Sequence, residues 1–168
     1  NMTSALDVAR YIVNISYQYQ YAISNLKLQK LLYFCQAVFL VDSKGKTPCF
    51  PEEIEAWDFG PVVPSVYRAF KKYGGNNIPK VSEYKDTSNG IWNLQTKKFS
   101  ENIITEKDRK KINEVIIHFG KFTASKLVDI THHQKPWMNA YYKNEDIISK
   151  KAIYEYFKED DCNESQRV

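Results

Sequence analysis

The chain has 168 residues, of which 43% are apolar and 14% aromatic, with 24 Lys+Arg against 20 Asp+Glu and a net charge of +4. That length suits one globular domain rather than two, and that apolar share is enough for a core, which excludes a wholly disordered chain. Positive and negative side chains are interleaved along both halves, so no basic stripe marks a nucleic-acid face.

Ala5, Ala9, Ile12, Val13 and Ser16 recur at helical spacing behind Thr3 or Ser4, which predicts a first helix ending in the segment Tyr17 to Tyr21. Ser24 or Asn25 then caps a second helix with Leu28, Leu31, Leu32, Cys35, Val38 and Phe39 on one stripe. Tyr33, Phe34 and Val41 add apolar area on its other faces, so this helix is expected to pack on more than one side, and Gly45 closes it. Ile54 to Phe59 alternates apolar and polar residues, which reads as an edge strand or an extended link. Gly60 supplies a turn and Pro61 opens a third helix through Val66, Tyr67, Phe70 and Tyr73, ended by Gly74 and Gly75.

Between Asn76 and Ser100 no period persists and the segment reads as a connecting flap, with a small hairpin turning at Ser88-Asn89-Gly90 ahead of Ile91 to Leu94. Thr105 caps a strongly amphipathic helix carrying Ile112, Val115, Ile116 and Phe119. Thr123 caps a shorter one ending at Thr131-His132, Pro136 starts another through Trp137 and Tyr141, and a last helix begins near Ser149. The expectation is a mainly α fold of six to seven helices in a single domain over residues 2–158. Short strand or hairpin elements fall around 54–59 and 78–98, and 159–168 form a charged, frayed tail. Asn1 precedes Met2, and Met2 reads as the natural start.

Residues that carry chemistry are sparse. Cys35, Cys49 and Cys162 form no CxxC pair, which suits reduced thiols better than a disulfide framework or a zinc site. His132 and His133 diverge by about 100° on a helix, with no cysteine or carboxylate at a ligand spacing, so packing or helix-end capping is the reading for both. No phosphate-binding glycine motif occurs, and no metal or cofactor site is expected. Glu52, Glu53, Glu55 and Asp58 read as a solvated edge. Every apolar run is broken well short of the ~18 residues that a membrane span needs, so a soluble, cytoplasmic protein is expected. The helix pair from Thr123 to Tyr142, with the basic charge balance, leaves a DNA-binding regulator as the alternative function, although the cations are too few for sequence reading.

Three blocks stand out: Leu28-Gln29-Lys30-Leu31-Leu32-Tyr33-Phe34-Cys35-Gln36; Glu55-Ala56-Trp57-Asp58-Phe59-Gly60-Pro61-Val62-Val63-Pro64-Ser65-Val66-Tyr67; and Ala124 to Thr131-His132 with Pro136-Trp137. In this order and spacing the chain resembles the Panacea-domain family, the SocA-like antitoxins and GepA-type phage-associated proteins, from about Ala5 to Phe157. It departs from the family pattern at Asp129-Ile130 and His133-Gln134-Lys135. The resemblance implies a non-catalytic antitoxin that binds a cognate protein toxin encoded by a neighbouring gene, and in at least one branch delivers it to an ATP-dependent protease. Neither nucleic acid nor membrane is an expected partner. Gln29, Lys30, Tyr33, Trp57, Gly60, Pro61, Pro64, Tyr67, Thr131, His132, Pro136 and Trp137 are then architectural or partner-binding. Gly60 and Pro61 are expected to set a strand-to-helix turn, and Thr131 and His132 to hold the turn before Pro136. Trp57, Tyr67 and Trp137 are expected as core wedges ahead of interface anchors.

Overall fold

The computed structural model describes residues 3–160. In chain order it contains α1 (Ala5–Gln18), α2 (Asn25–Asp42), β1 (Ile54–Trp57), β2 (Gly60–Val62), α3 (Pro64–Phe70), β3 (Glu83–Asp86), β4 (Gln95–Lys98), α4 (Glu106–Phe119), α5 (Ala124–His132), α6 (Lys135–Tyr142), β5 (Ile147–Ile148) and α7 (Lys150–Asp160). Short 3-10 turns follow α3 at Lys71–Tyr73 and precede α4 at Glu101–Ile103. The fold is mainly α. Five helices begin behind a hydroxyl that accepts from an orphan first-turn amide: Ser4, Ser24, Thr105, Thr123 and Ser149. The two remaining helices carry a proline in the first turn, Pro64 as the first residue of α3 and Pro136 as the second of α6, where the missing N–H would have no intrahelical partner in any case.

The hub is α2. Fourteen of its 18 residues are buried, and it packs against α1, α3, α4, α5, α7 and β2. Such a helix shows no apolar stripe, because it has no solvent face to contrast with. Phe34 stacks on Phe119 of α4 with ring centroids 4.0 Å apart, and Phe157 of α7 meets Tyr33 edge-on at 5.7 Å. Glu52 lends a carboxylate to the free amide of Ala5 at 3.1 Å, which fixes the start of α1. Among the described residues no helix is long and apolar enough to cross a membrane.

The elements between residues 54 and 98 differ from the sequence reading. Ile54–Trp57 is not at an edge: β1 is the middle strand of an antiparallel sheet ordered β2-β1-β5, pairing Glu55 with Val62 and Ile54 with Ile148. The two-residue β5 carries too little pattern to be seen in advance. Pro61 does not open a helix; it lies in β2, and the helix starts at Pro64. Proline's fixed φ fits a strand as well as a first helical turn, and the hairpin closed by Gly60 decides between them. Gly60 and Pro61 therefore form a strand-to-strand turn. The flap does hold a hairpin, but its strands are β3 and β4, and Ile91 to Leu94 belong to the connecting loop with Trp92 95% exposed. Helix α7 continues through Glu159 to Asp160, while residues 161–168, Met2 and Cys162 lie outside the described residues.

Candidate functional site

Gly60, at φ +104°, closes the turn Asp58-Phe59 between β1 and β2, and side chains from α2, α5 and α6 hold that turn. Trp137 of α6 donates its indole N–H to the Trp57 carbonyl at 2.8 Å, and His132, at the end of α5, donates from Nε2 to the Asp58 carbonyl at 3.0 Å. The Tyr141 hydroxyl donates to the Asp58 carboxylate at 2.6 Å, and this bond raises the Tyr141 pKa. The three donors are stacked in a row, His132 on Trp137 at 4.1 Å and Trp137 on Tyr141 at 4.5 Å, so each fixes the orientation of the next.

From the other side α2 reaches up. Lys30 Nζ donates to the Pro61 carbonyl at 3.0 Å, and the Gln29 side-chain oxygen accepts from the Val63 amide at 2.9 Å. Lys30 is 0% exposed and forms no ion pair among the described residues, so burial alone pulls its pKa down to about 7. A Cβ on residue 60 would sit 2.8 Å from both Lys30 Cε and Thr131 Oγ1, and glycine is needed for that approach as well as for the φ. Tyr33 donates to Gln134 at 2.8 Å and ties α2 to the α5–α6 link; burial raises its pKa well above the usual phenol range.

Beside the clamped turn lies a groove of about 740 Å³ lined by Leu26, Trp57, Phe59, Val62 and Tyr67, with Lys71 on its wall. Trp57 and Tyr67 meet edge to face at 5.0 Å, and Phe59 is 67% exposed. The amide side chains of the wall are used internally: Asn25 donates to the Tyr67 carbonyl at 3.0 Å and Gln29 to Asn25 at 2.9 Å. The groove therefore offers mostly ring faces and aliphatic carbon to a ligand.

Several expectations change with this geometry. Trp137 is core at 3% exposure, whereas Trp57 and Tyr67 are half-buried and line the groove. Thr131 bonds to the Val128 carbonyl of its own helix, and His132 reaches the hairpin, so neither holds the turn before Pro136. The carboxylates near Trp57 are not a merely solvated edge: Glu52, Glu53, Glu55 and Asp58 contact Ala5, Lys150, Trp57 and Tyr141 respectively. Helix α6 turns Pro136, Trp137 and Ala140 inward and leaves Lys135 and Asn139 exposed on its other face. Asp58, read in the sequence as solvated edge, joins the site together with Phe59, Gln134 and Tyr141, which were not singled out; an aromatic residue directly before a turn glycine was the signal for Phe59.

The thiols of Cys35 and Cys49 are buried and raised in pKa, which disfavours the thiolate. His133 bonds to the Asp129 carbonyl of its own helix at 2.8 Å. Among the described residues no three His, Cys, Asp or Glu side chains gather in a metal-holding group.

The model of the family described as antitoxin SocA-like, Panacea domain, matches residues 28–138. The chain belongs to that family. The match takes in all three blocks and the whole clamp except Tyr141, and leaves α1 and α7 outside. Antitoxin SocA of Caulobacter vibrioides (strain NA1000 / CB15N) is 40% identical to this Panacea domain over 116 residues, covering 68% of this chain and 58% of that protein. The chain thus spans less than two thirds of the length of that relative. No solved structure matches it.

Proposed function

We propose that this Panacea-domain chain is the non-catalytic antitoxin of a bacterial or prophage toxin–antitoxin pair, which neutralises a cognate protein toxin encoded by a neighbouring gene by binding it directly. The observation that carries this reading is family membership together with 40% identity to a protein named as an antitoxin. The groove is the surface we assign to the toxin. Half-buried aromatics held by neighbours lose little entropy on binding and are common interface anchors. In this reading Lys30, Gly60, Pro61, Thr131, His132, Pro136 and Trp137 hold the turn, Gln29, Tyr33 and Pro64 tie α2 and α3 to it, and Trp57, Phe59 and Tyr67 meet the partner. No cofactor or metal takes part. The compartment is the cytoplasm, consistent with the free thiols of Cys35 and Cys49. Delivery of the bound toxin to an ATP-dependent protease is a further step that this reading includes.

The test is to express the neighbouring gene from an inducible promoter with and without this chain. Restored growth and a complex that co-purifies are expected. A harmless neighbour, or a toxin that still kills and does not co-purify, overturns the reading. A toxin half-life that this chain leaves unchanged removes the protease step and keeps the neutralisation.

A further inference from the structure

We infer that the occupant of the groove is an acidic segment of the cognate toxin that inserts an apolar side chain between Phe59 and the Trp57–Tyr67 pair. The inference rests on the antitoxin reading. The apolar anchor follows from the lining, where Leu26, Phe59 and Val62 are wholly apolar, the Trp57 indole N–H is taken by Glu55, Tyr67 presents its ring to Trp57, and Asn25 and Gln29 are committed to internal bonds. A polar side chain inserted there would lose water without gaining a partner.

The acidic character follows from the charge around that lining. From Phe59 to Ser82 the chain has no Asp or Glu and carries Arg68, Lys71, Lys72 and Lys80. Arg68 directly follows Tyr67, Lys71 lines the groove, and Lys72 is the next residue; all three are exposed and form no ion pair among the described residues. What sets this wall apart is the lack of any acid between Phe59 and Ser82; elsewhere acids lie close enough to pair with cations, as Asp86 does with Lys97, Asp42 with Lys111 and Glu53 with Lys150. The acid that does line the groove, Asp58, is engaged by Tyr141. Lys71 on the groove wall, with the exposed Arg68 and Lys72 beside it in the chain, complements carboxylates that flank an apolar anchor and raises the association rate in a salt-dependent way. Nucleic acid is the poorer match, because the bases would meet a recessed groove and few phosphates would be neutralised.

The experiment compares the full chain with R68E/K71E/K72E and with F59A, using the neighbouring-gene toxin, by growth rescue and by affinity at two salt concentrations. All four positions are exposed, so melting temperatures close to wild type are expected. The expected result is wild-type affinity that falls with salt, and at least about tenfold weaker binding with lost rescue in the charge-reversed chain. F59A should bind more weakly at both salt concentrations. If the triple reversal lowers the melting temperature, K71Q is measured in its place, with weaker, less salt-sensitive binding expected. Wild-type binding that the charge and Phe59 variants leave unchanged overturns the inference while the antitoxin reading stands. A chain that neither binds nor rescues removes both. Variants that lose affinity for duplex DNA and keep toxin binding would assign this face to nucleic acid and overturn the inference.

Discussion

The indole nitrogen of Trp137 lies 2.8 Å from the carbonyl oxygen of Trp57, a bond between residues 80 apart in the chain. It is the central link of the clamp, flanked on one side by His132 and on the other by Tyr141. The hairpin turn is thereby held from α5 and α6 rather than by its own strands, which are short enough to be marginal alone.

Trp137→Phe keeps one aromatic ring but removes the donor and part of a buried indole. It should lower stability by about 2–4 kcal/mol, from the lost hydrogen bond together with the cavity, read from urea midpoints. His132→Ala should show a smaller loss on this background than on the wild type, because the two donors hold one turn.

Gly60→Ala should lower stability by about 2–4 kcal/mol, from strain at positive φ together with contact on Lys30 and Thr131. Gly74→Ala is the control. It also sits at positive φ, +57°, with ψ −131° outside the left-handed helical region, but nothing lies within 4 Å of its added Cβ, so only a backbone cost of about 1–3 kcal/mol is expected.

Stability should depend on pH through Lys30. Its folded pKa, about 7, lies below the ordinary 10.5, so between these values the unfolded chain binds a proton that the folded chain does not. The stability this group contributes is fully present above 10.5 and is lost as pH falls toward 7. Burial shifts Lys27 in the same direction. Cys35 and Cys49 act in the opposite sense: their thiols are raised above the ordinary 9.0, so their contribution is present below 9.0 and lost above it. Thermal melts should therefore show stability climbing from pH 7 toward 9 and then falling. Lys30→Met should flatten the climb and keep the fall.

Trp92→Ala should change stability by no more than about 0.5 kcal/mol despite the size of the side chain. Phe34→Ala, in the stacked core pair with Phe119, should lower it by about 3–5 kcal/mol. Chemical denaturation of both variants makes the comparison.

The helix starts were legible because a cap is a local device: Ser4, Ser24, Thr105 and Thr123 act on amides within three residues. The position of α2 as a helix packed on several sides was also legible, from apolar residues on more than one face. The burial of Gln29, Lys30 and Gln36 on that helix was not, because their partners are main-chain groups at Val63, Pro61 and Phe50. Hydropathy assigns such residues to solvent, and nothing local signals otherwise. Strand β5 and the role of Pro61 failed for the same reason, since both are decided by pairing with a distant strand. The three sequence blocks marked the site, but their meeting at Asp58 and Phe59 is a property of the fold.

The polar lining of α2 also orders events at the ribosome. Tyr33 finds its acceptor in Gln134, 101 residues later, and the Trp57 carbonyl waits for Trp137. While α2 emerges, it has neither a complete apolar coat nor partners for its buried polar side chains. A translation product that stops before Gln134 leaves those side chains unmatched and the hairpin turn unclamped. Incomplete chains therefore expose the hub helix to chaperones and proteases, and the groove takes its final shape only when synthesis has passed α6.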